Sequence, residues 1–165
     1  MRRETSDLSC TPMELVLYAP GLGYYVAGAR RFGAAGDFVT GPEMTPLYGA
    51  AMARQVGAIL AATRAREIVE LGAGSGALAA SLLDALARDD SSPSRYSILE
   101  PSPVLRAQQR TTIEAVGGEA VRRVAWLDRL PSTIDGVVVL NEVLDAIAPH
   151  LVVRRGDAWY ERGVA

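Results

Sequence analysis

Glu67-Ile68-Val69-Glu70-Leu71-Gly72-Ala73-Gly74-Ser75-Gly76-Ala77-Leu78 decides how the rest of the chain is read. Its first half is a short apolar run that carries an acid. Three glycines follow at alternate positions, and an alanine- and leucine-rich stretch comes after them. That order reads as strand, tight turn and helix. Glycine permits positive φ and lets a ligand approach the main chain closely, while the first N–H groups of the following helix point unpaired into the same space. The turn is therefore read as a nucleotide or nucleoside site.

Two ligand classes compete for it. The dinucleotide fingerprint G-x-G-x-x-G/A is met loosely by Gly72, Gly74 and Ala77, with Glu100 as the later acid. The stretch more closely resembles the first motif of S-adenosylmethionine-dependent methyltransferases, E-x-G-x-G-x-G, at Glu70, Gly72, Gly74 and Gly76. The acid two residues before the first glycine separates the readings. A carboxylate attracts a sulfonium and an ammonium group and repels a pyrophosphate.

Working outward, 165 residues with 49% hydrophobic and 22% charged side chains suffice for one good core, so one domain with an appendage is expected. The net charge is -2, with 17 basic residues scattered among 19 acids, which gives no reason to expect a nucleic-acid partner. Every basic residue is arginine, so a lysine Schiff base and a P-loop lysine are excluded. The single cysteine, Cys10, forms no disulfide within the chain and points to a reducing compartment, the bacterial cytoplasm. With only His150 to partner it, Cys10 reads as incidental. Met1-Arg2-Arg3-Glu4-Thr5-Ser6-Asp7 does not lead into an apolar segment, and no run approaches the ~20 residues of a membrane span. The expectation is a cytoplasmic chain, neither exported nor anchored, with no metal site.

Residues 12–40 are dense in Gly, Pro and Tyr. A short helix is expected at 13–18, capped by Thr11 with Pro12 as its first residue, followed by a long irregular loop of the functional kind. Thr40 and Glu43 have capping-box spacing, opening a helix through Leu47, Tyr48, Ala51, Met52, Val56, Ile59 and Leu60 to about Arg64. From there strands and helices alternate: strand 67–71, helix 76–88, strand 96–100, helix 103–115, strand 121–126, strand 136–140 and a helical turn 142–147. Residues 151–155 and 159–161 are further strand candidates. The pattern predicts an α/β fold, a Rossmann-like parallel sheet with helices on both faces. Residues 1–63 form an N-terminal lid and helix segment, and 64–165 the nucleoside-binding core.

Open sheets of this kind bind ligands at the carboxyl ends of their strands. Here those ends are the Gly72 loop, Glu100, Trp126-Leu127-Asp128 and Asn141-Glu142. Glu100 suits two ribose hydroxyls, or caps the helix after it. Trp126 is either core or an adenine neighbour. Asn141, Glu142 and Asp145 crowd the start of a short helix, with both acids on one helical face, an arrangement that fits capping as readily as catalysis.

Several motifs together resemble one family. They are Tyr18-x-Pro20-Gly21-x-Gly23-Tyr24-Tyr25, Gly36-Asp37-Phe38-x-Thr40-x-Pro42-Glu43, the Glu70 glycine loop, Leu105-x-x-x-Gln109, Asn141-Glu142-x-Leu144-Asp145-Ala146 and Trp159-x-Glu161. The chain from about residue 13 resembles the MidA family, class I S-adenosylmethionine-dependent methyltransferases related to the mitochondrial complex I assembly factor that methylates a protein arginine. The resemblance implies S-adenosylmethionine as cofactor and a protein as substrate. It implies a cofactor-side lid with Asp37, Phe38, Pro42 and Glu43, and a cofactor loop with Glu70, Gly72, Ala73, Gly74 and Gly76. Glu100 and Leu127 complete the cofactor contacts. Asn141, Glu142 and Asp145 then face cofactor and acceptor as the catalytic group, two carboxylates suiting the N–H fork of a guanidinium.

Departures are visible as well. Ala148-Pro149-His150 stands where the family commonly has Pro-Val-His, and Ala19 stands where a histidine is usual, which weakens His150 as a general base. Family members are markedly longer. The resemblance therefore implies that this chain stops, at Val164-Ala165, before the closing strands, leaving apolar surface for a second copy or a partner chain. A non-catalytic assembly module and a dinucleotide oxidoreductase are the other readings.

Overall fold

A computed structural model describes residues 2–3, 12–26 and 39–162. The chain divides into two units, one made of Met1–Ala29 with Leu144–Ala165, the other of Arg30–Val143. Cys10, Thr11 and the Gly36-Asp37-Phe38 motif lie outside the described residues.

In chain order the elements begin with β1 (Arg2–Arg3), α1 (Pro12–Tyr18), α2 (Gly41–Met44), α3 (Pro46–Thr63) and β2 (Glu67–Leu71). They continue with α4 (Ala77–Arg88), β3 (Arg95–Leu99), α5 (Pro103–Glu114), β4 (Val124–Leu127), β5 (Gly136–Leu140), β6 (Val152–Arg155) and β7 (Ala158–Glu161). Short 3-10 turns occupy Ala120–Arg123 and Leu144–Ala146.

The larger unit holds a four-stranded sheet in the order β4-β3-β2-β5. All three pairings are parallel, with Ile68 opposite Tyr96 on one side and Val137 on the other. Strands alternate their side chains between faces, so Ile68 and Glu70 share a face with Tyr96, Ile98, Val137 and Val139. That face meets the helices. Ala53, Val56 and Leu60 of α3, Leu78, Leu82 and Leu86 of α4 and Ile113 of α5 join Ile68, Tyr96 and Ile98 in one buried cluster. The described helices α3, α4 and α5 thus pack on one face of the parallel sheet. The β4–β5 connection, 128–135, carries no helix, and Val138 and Leu140 alternate toward the other side at 42% and 48% exposure.

Local chemistry explains where elements differ from expectation. The helix foreseen from Thr40 is interrupted at Thr45, whose φ of -161° is extended. A residue before proline is disfavoured in the α region, and Pro46 follows. Thr40 makes no side-chain cap, whereas the Thr45 hydroxyl accepts the Leu47 N–H at 3.2 Å and opens α3. The strand expected over 121–126 begins at Val124, because the chain first makes a 3-10 turn that buries Ala120. The helical turn expected over 142–147 shrinks to the 3-10 turn Leu144–Ala146, and Glu142 sits at φ 50°. The shared helical face proposed for Glu142 and Asp145 therefore does not form.

The smaller unit is a sheet in the order β1-β7-β6, with β6 and β7 antiparallel and β1 parallel to β7. Tyr18 and Tyr25 stack in it with ring centroids 5.6 Å apart, and Tyr24 meets Tyr25 edge-on at 5.1 Å.

Candidate functional site

β2 ends where Gly72 takes φ 61°, Gly74 φ 54° and Gly76 φ 87°, three left-handed positions in five residues. Side chains with a Cβ rarely adopt that region, so the alternate glycines set the path of the turn. The Gly72 N–H bonds the Leu99 carbonyl at 2.9 Å, pinning the loop to the end of β3. A Cβ on Gly72 would stand 3.2 Å from Val143, so the chain leaving β5 passes directly over the loop. Gly76 is the N-cap of α4 and offers no side-chain cap, which leaves the helix N-terminus facing the turn.

Around this loop lies a set of acids and amides. Glu43 of α2 accepts a hydrogen bond from the Ser75 hydroxyl, tying that helix to the turn. Pro42 is half-buried in the same helix, and Ala73 is buried in the loop itself. Glu100 follows β3 and is 4% exposed. Its Oε1 accepts the Ser102 N–H at 3.0 Å and its Oε2 accepts Gln109 Nε2 at 3.1 Å. Burial pushes the Glu100 carboxyl up, against the lowering pull of those bonds and of the Arg106 guanidinium. Arg106 donates to the Glu100 carbonyl at 2.5 Å, to the Leu127 carbonyl at 2.7 Å and to Asp128 at 2.8 Å, locking the ends of β3 and β4 together.

Glu70 lies differently from what a cofactor-facing acid would suggest. It is 2% exposed, and its Oε2 accepts the Tyr96 hydroxyl at 2.6 Å. Burial pushes its carboxyl up to about 7, with Glu100 adding to the rise and the Tyr96 bond opposing it. Tyr96 sits beside Ile68 in register, one pleat back on the same face, which is how it reaches the acid.

At the end of β5, Asn141 Oδ1 accepts the Tyr48 hydroxyl at 2.7 Å, so α3 fixes the amide's orientation. Glu142 is exposed. Asp145 belongs to the smaller unit, where it lies near Tyr25; burial and the Asp145 charge both raise that phenol's pKa. His150 Nδ1 pairs with Glu161 at 2.6 Å in the same unit, exposed.

The structure thus gathers Glu43, Gly72, Ala73, Gly74, Gly76 and Glu100 at one turn, with Val143 bringing the 141–143 segment over it. Sequence reasoning assigned no role to Ser75, Tyr48, Tyr96 or Arg106, whose partners named above are 21 or more residues away except at Glu100. Gln109 carried a signal, the Leu105-x-x-x-Gln109 motif, without a role. Trp126 proves half-buried: its Nε1 donates to Gln109 Oε1 at 2.8 Å and Arg110 lies 4.1 Å over its ring.

A parallel sheet with a left-handed glycine turn and an acid ending the next strand defines a nucleoside-binding α/β protein of the class I methyltransferase kind. The donor set fits a nucleoside with a cationic tail: carboxylates and amides ring the turn, and they suit a ribose diol and an ammonium while disfavouring a pyrophosphate. Residues 50–165 match the family described as "Putative S-adenosyl-L-methionine-dependent methyltransferase", and the chain belongs to that family. S-adenosylmethionine is the family's cofactor.

Relatives agree. A Burkholderia thailandensis protein described as a "likely methyl transferase", solved with S-adenosyl-homocysteine bound, is 48% identical, with a TM-score of 0.81 over 93% of this chain and 41% of its own. A native structure from the same organism superposes with a TM-score of 0.75 at 48% identity, over 93% of this chain and 38% of that one. "Protein arginine methyltransferase NDUFAF7 homolog, mitochondrial" of Caenorhabditis elegans is 30% identical over 90% of this chain and 40% of its own length. The chain therefore spans about two-fifths of these relatives.

Proposed function

We propose that this chain binds S-adenosylmethionine at the Gly72–Gly76 turn and takes part in transferring its methyl group to a protein arginine. The observation that carries the reading is the ring of acids and amides, Glu43, Glu100, Gln109 and Asn141, around a left-handed glycine turn. The 48% identity to a protein holding S-adenosyl-homocysteine supports the cofactor, and the arginine methyltransferase relative supports the acceptor.

When bound, the cofactor supplies an electrophilic methyl carbon for an in-line displacement, so the protein contributes mainly positioning. Glu100 accepts the ribose hydroxyls, Pro42 and Glu43 close over the turn, and the Leu127 backbone borders the adenine. Asn141, held by Tyr48, orients the segment that carries Glu142. Glu142, on the segment over the turn, is the candidate acceptor for the N–H groups of the guanidinium, and Asp145 is tested as a second carboxylate in its own right.

A tritiated-methyl assay on a cell lysate, with acid hydrolysis of labelled protein, tests this reading. Methylarginine in the wild-type product and its loss in Glu142→Gln and Asp145→Asn are expected. Full turnover by both variants sinks the carboxylate role. Cofactor binding without turnover makes the chain a binding module.

A further inference from the structure

Gln109 is fully buried, sits mid-helix in α5 and is bonded on three sides. Its Oε1 accepts the Trp126 indole N–H at 2.8 Å. Indole nitrogen only donates, so this bond fixes which end of the amide is oxygen. The Nε2 end is thereby aimed at two acceptors, the Gly74 carbonyl at 3.0 Å and Glu100 Oε2 at 3.1 Å. Both Nε2 hydrogens are used. The backbone of the same residue also seats the turn, since a Cβ on Gly76 would stand 3.0 Å from Gln109 Cα. One side chain therefore touches the glycine turn, the acid after β3 and the aromatic residue of β4.

We propose that Gln109 is the positioning residue of the nucleoside site: locked by Trp126, its amide holds the Glu100 carboxylate ionised and aimed, and holds the Gly74 carbonyl in place. This rests on the cofactor site proposed above.

The electrostatics follow from the groups around Glu100. Glu70 of β2 faces it as a like charge, and Arg106 of α5 donates to its carbonyl while holding Asp128 after β4. Ser102 supplies one backbone N–H. Burial favours the protonated acid, so each donor matters for keeping it charged. A protonated Glu100 has lost acceptor capacity for a ribose diol. Gln109→Leu removes one donor and moves Glu100 further toward the neutral form. Gln109→Glu keeps the shape but places a second acid against Glu100 and Gly74, tolerable only while it holds a proton. The two variants should then respond to pH in opposite directions, which loss of packing alone does not produce.

The test is calorimetric titration of S-adenosyl-homocysteine into wild type, Gln109→Leu and Gln109→Glu between pH 6 and 8.5, read as the ratio of wild-type to variant affinity. At pH 7 a loss of about tenfold is expected for Gln109→Leu, the scale of one hydrogen bond to a charged group. That ratio should shrink as pH rises, while the ratio for Gln109→Glu should grow. Ratios that do not change with pH, or a Gln109→Glu protein indistinguishable from wild type, overturn the proposal. Where Gln109→Leu fails to fold, Gln109→Glu decides alone. Wild type that binds no S-adenosyl-homocysteine overturns the cofactor site itself, a result distinct from either variant outcome.

Discussion

The two units of this chain use polar side chains in opposite ways. In Arg30–Val143, Glu70, Glu100, Ser102 and Gln109 are all under 5% exposed and each is hydrogen-bonded. In the other unit, His150 pairs with Glu161 while 65% exposed, Arg154 meets Asp157 at the surface, and Trp159 is 55% exposed. Buried polar groups must find partners or lose their desolvation energy, so each bond in the first unit constrains its neighbours. Exposed groups exchange protein for water at little cost. The lesson is that the nucleoside turn is held by interlocked bonds, whereas the hairpin of β6 and β7 tolerates change.

The largest effect expected from that contrast lies at Glu70. Its folded carboxyl titrates at about 7 against an ordinary 4.5. Below pH 4.5 the folded and unfolded chains both hold the proton; from there to about 7 the unfolded chain releases it and the folded chain keeps it. Stability from this group is therefore full at low pH and falls as pH rises through that window, by on the order of 3 kcal/mol. Urea unfolding at several pH values should show a slope that Glu70→Gln flattens; equal slopes would contradict the burial.

Next comes Gly76→Ala. It forces a Cβ onto a φ of 87° and to 3.0 Å from Gln109 Cα. A cost of about 1–2 kcal/mol in unfolding is expected, with S-adenosyl-homocysteine affinity down roughly tenfold. An unchanged affinity would show that the turn does not meet the ligand.

Ser97 sharpens the contrast from the other side. Its hydroxyl is buried without a partner among the described residues. Ser97→Ala should leave stability unchanged or raise it by up to about 1 kcal/mol, because only an unpaired group is removed. The smallest effect belongs to the hairpin, where His150→Ala should change unfolding by about 0–0.5 kcal/mol. A cost there as large as at Gly76 would break the comparison.

What the sequence made legible follows the range of the interactions concerned. The strand, turn and helix of 67–88 depend on local apolar pattern and glycine, and β2 and α4 stand where that pattern puts them, with Gly76 as cap rather than first helical residue. The break at Thr45 was also local: Thr45-Pro46 is itself a cap followed by an N1 proline. Glu43 was read as closing a capping box, yet it bonds Ser75, 32 residues on, and no local rule sees that partner. The same holds for Tyr48 with Asn141 and Tyr96 with Glu70, pairs made by the sheet and helix packing. Glu70 was legible as an acid beside the turn. That its carboxyl turns into the core became visible only once β3 was in register beside it.

The central claim, a nucleoside site for a sulfonium cofactor at the glycine turn, is tested most directly by calorimetric titration of the wild-type chain with S-adenosylmethionine, S-adenosyl-homocysteine and NAD. The account predicts saturable one-to-one binding of the first two and none of NAD. Binding of NAD alone would contradict it.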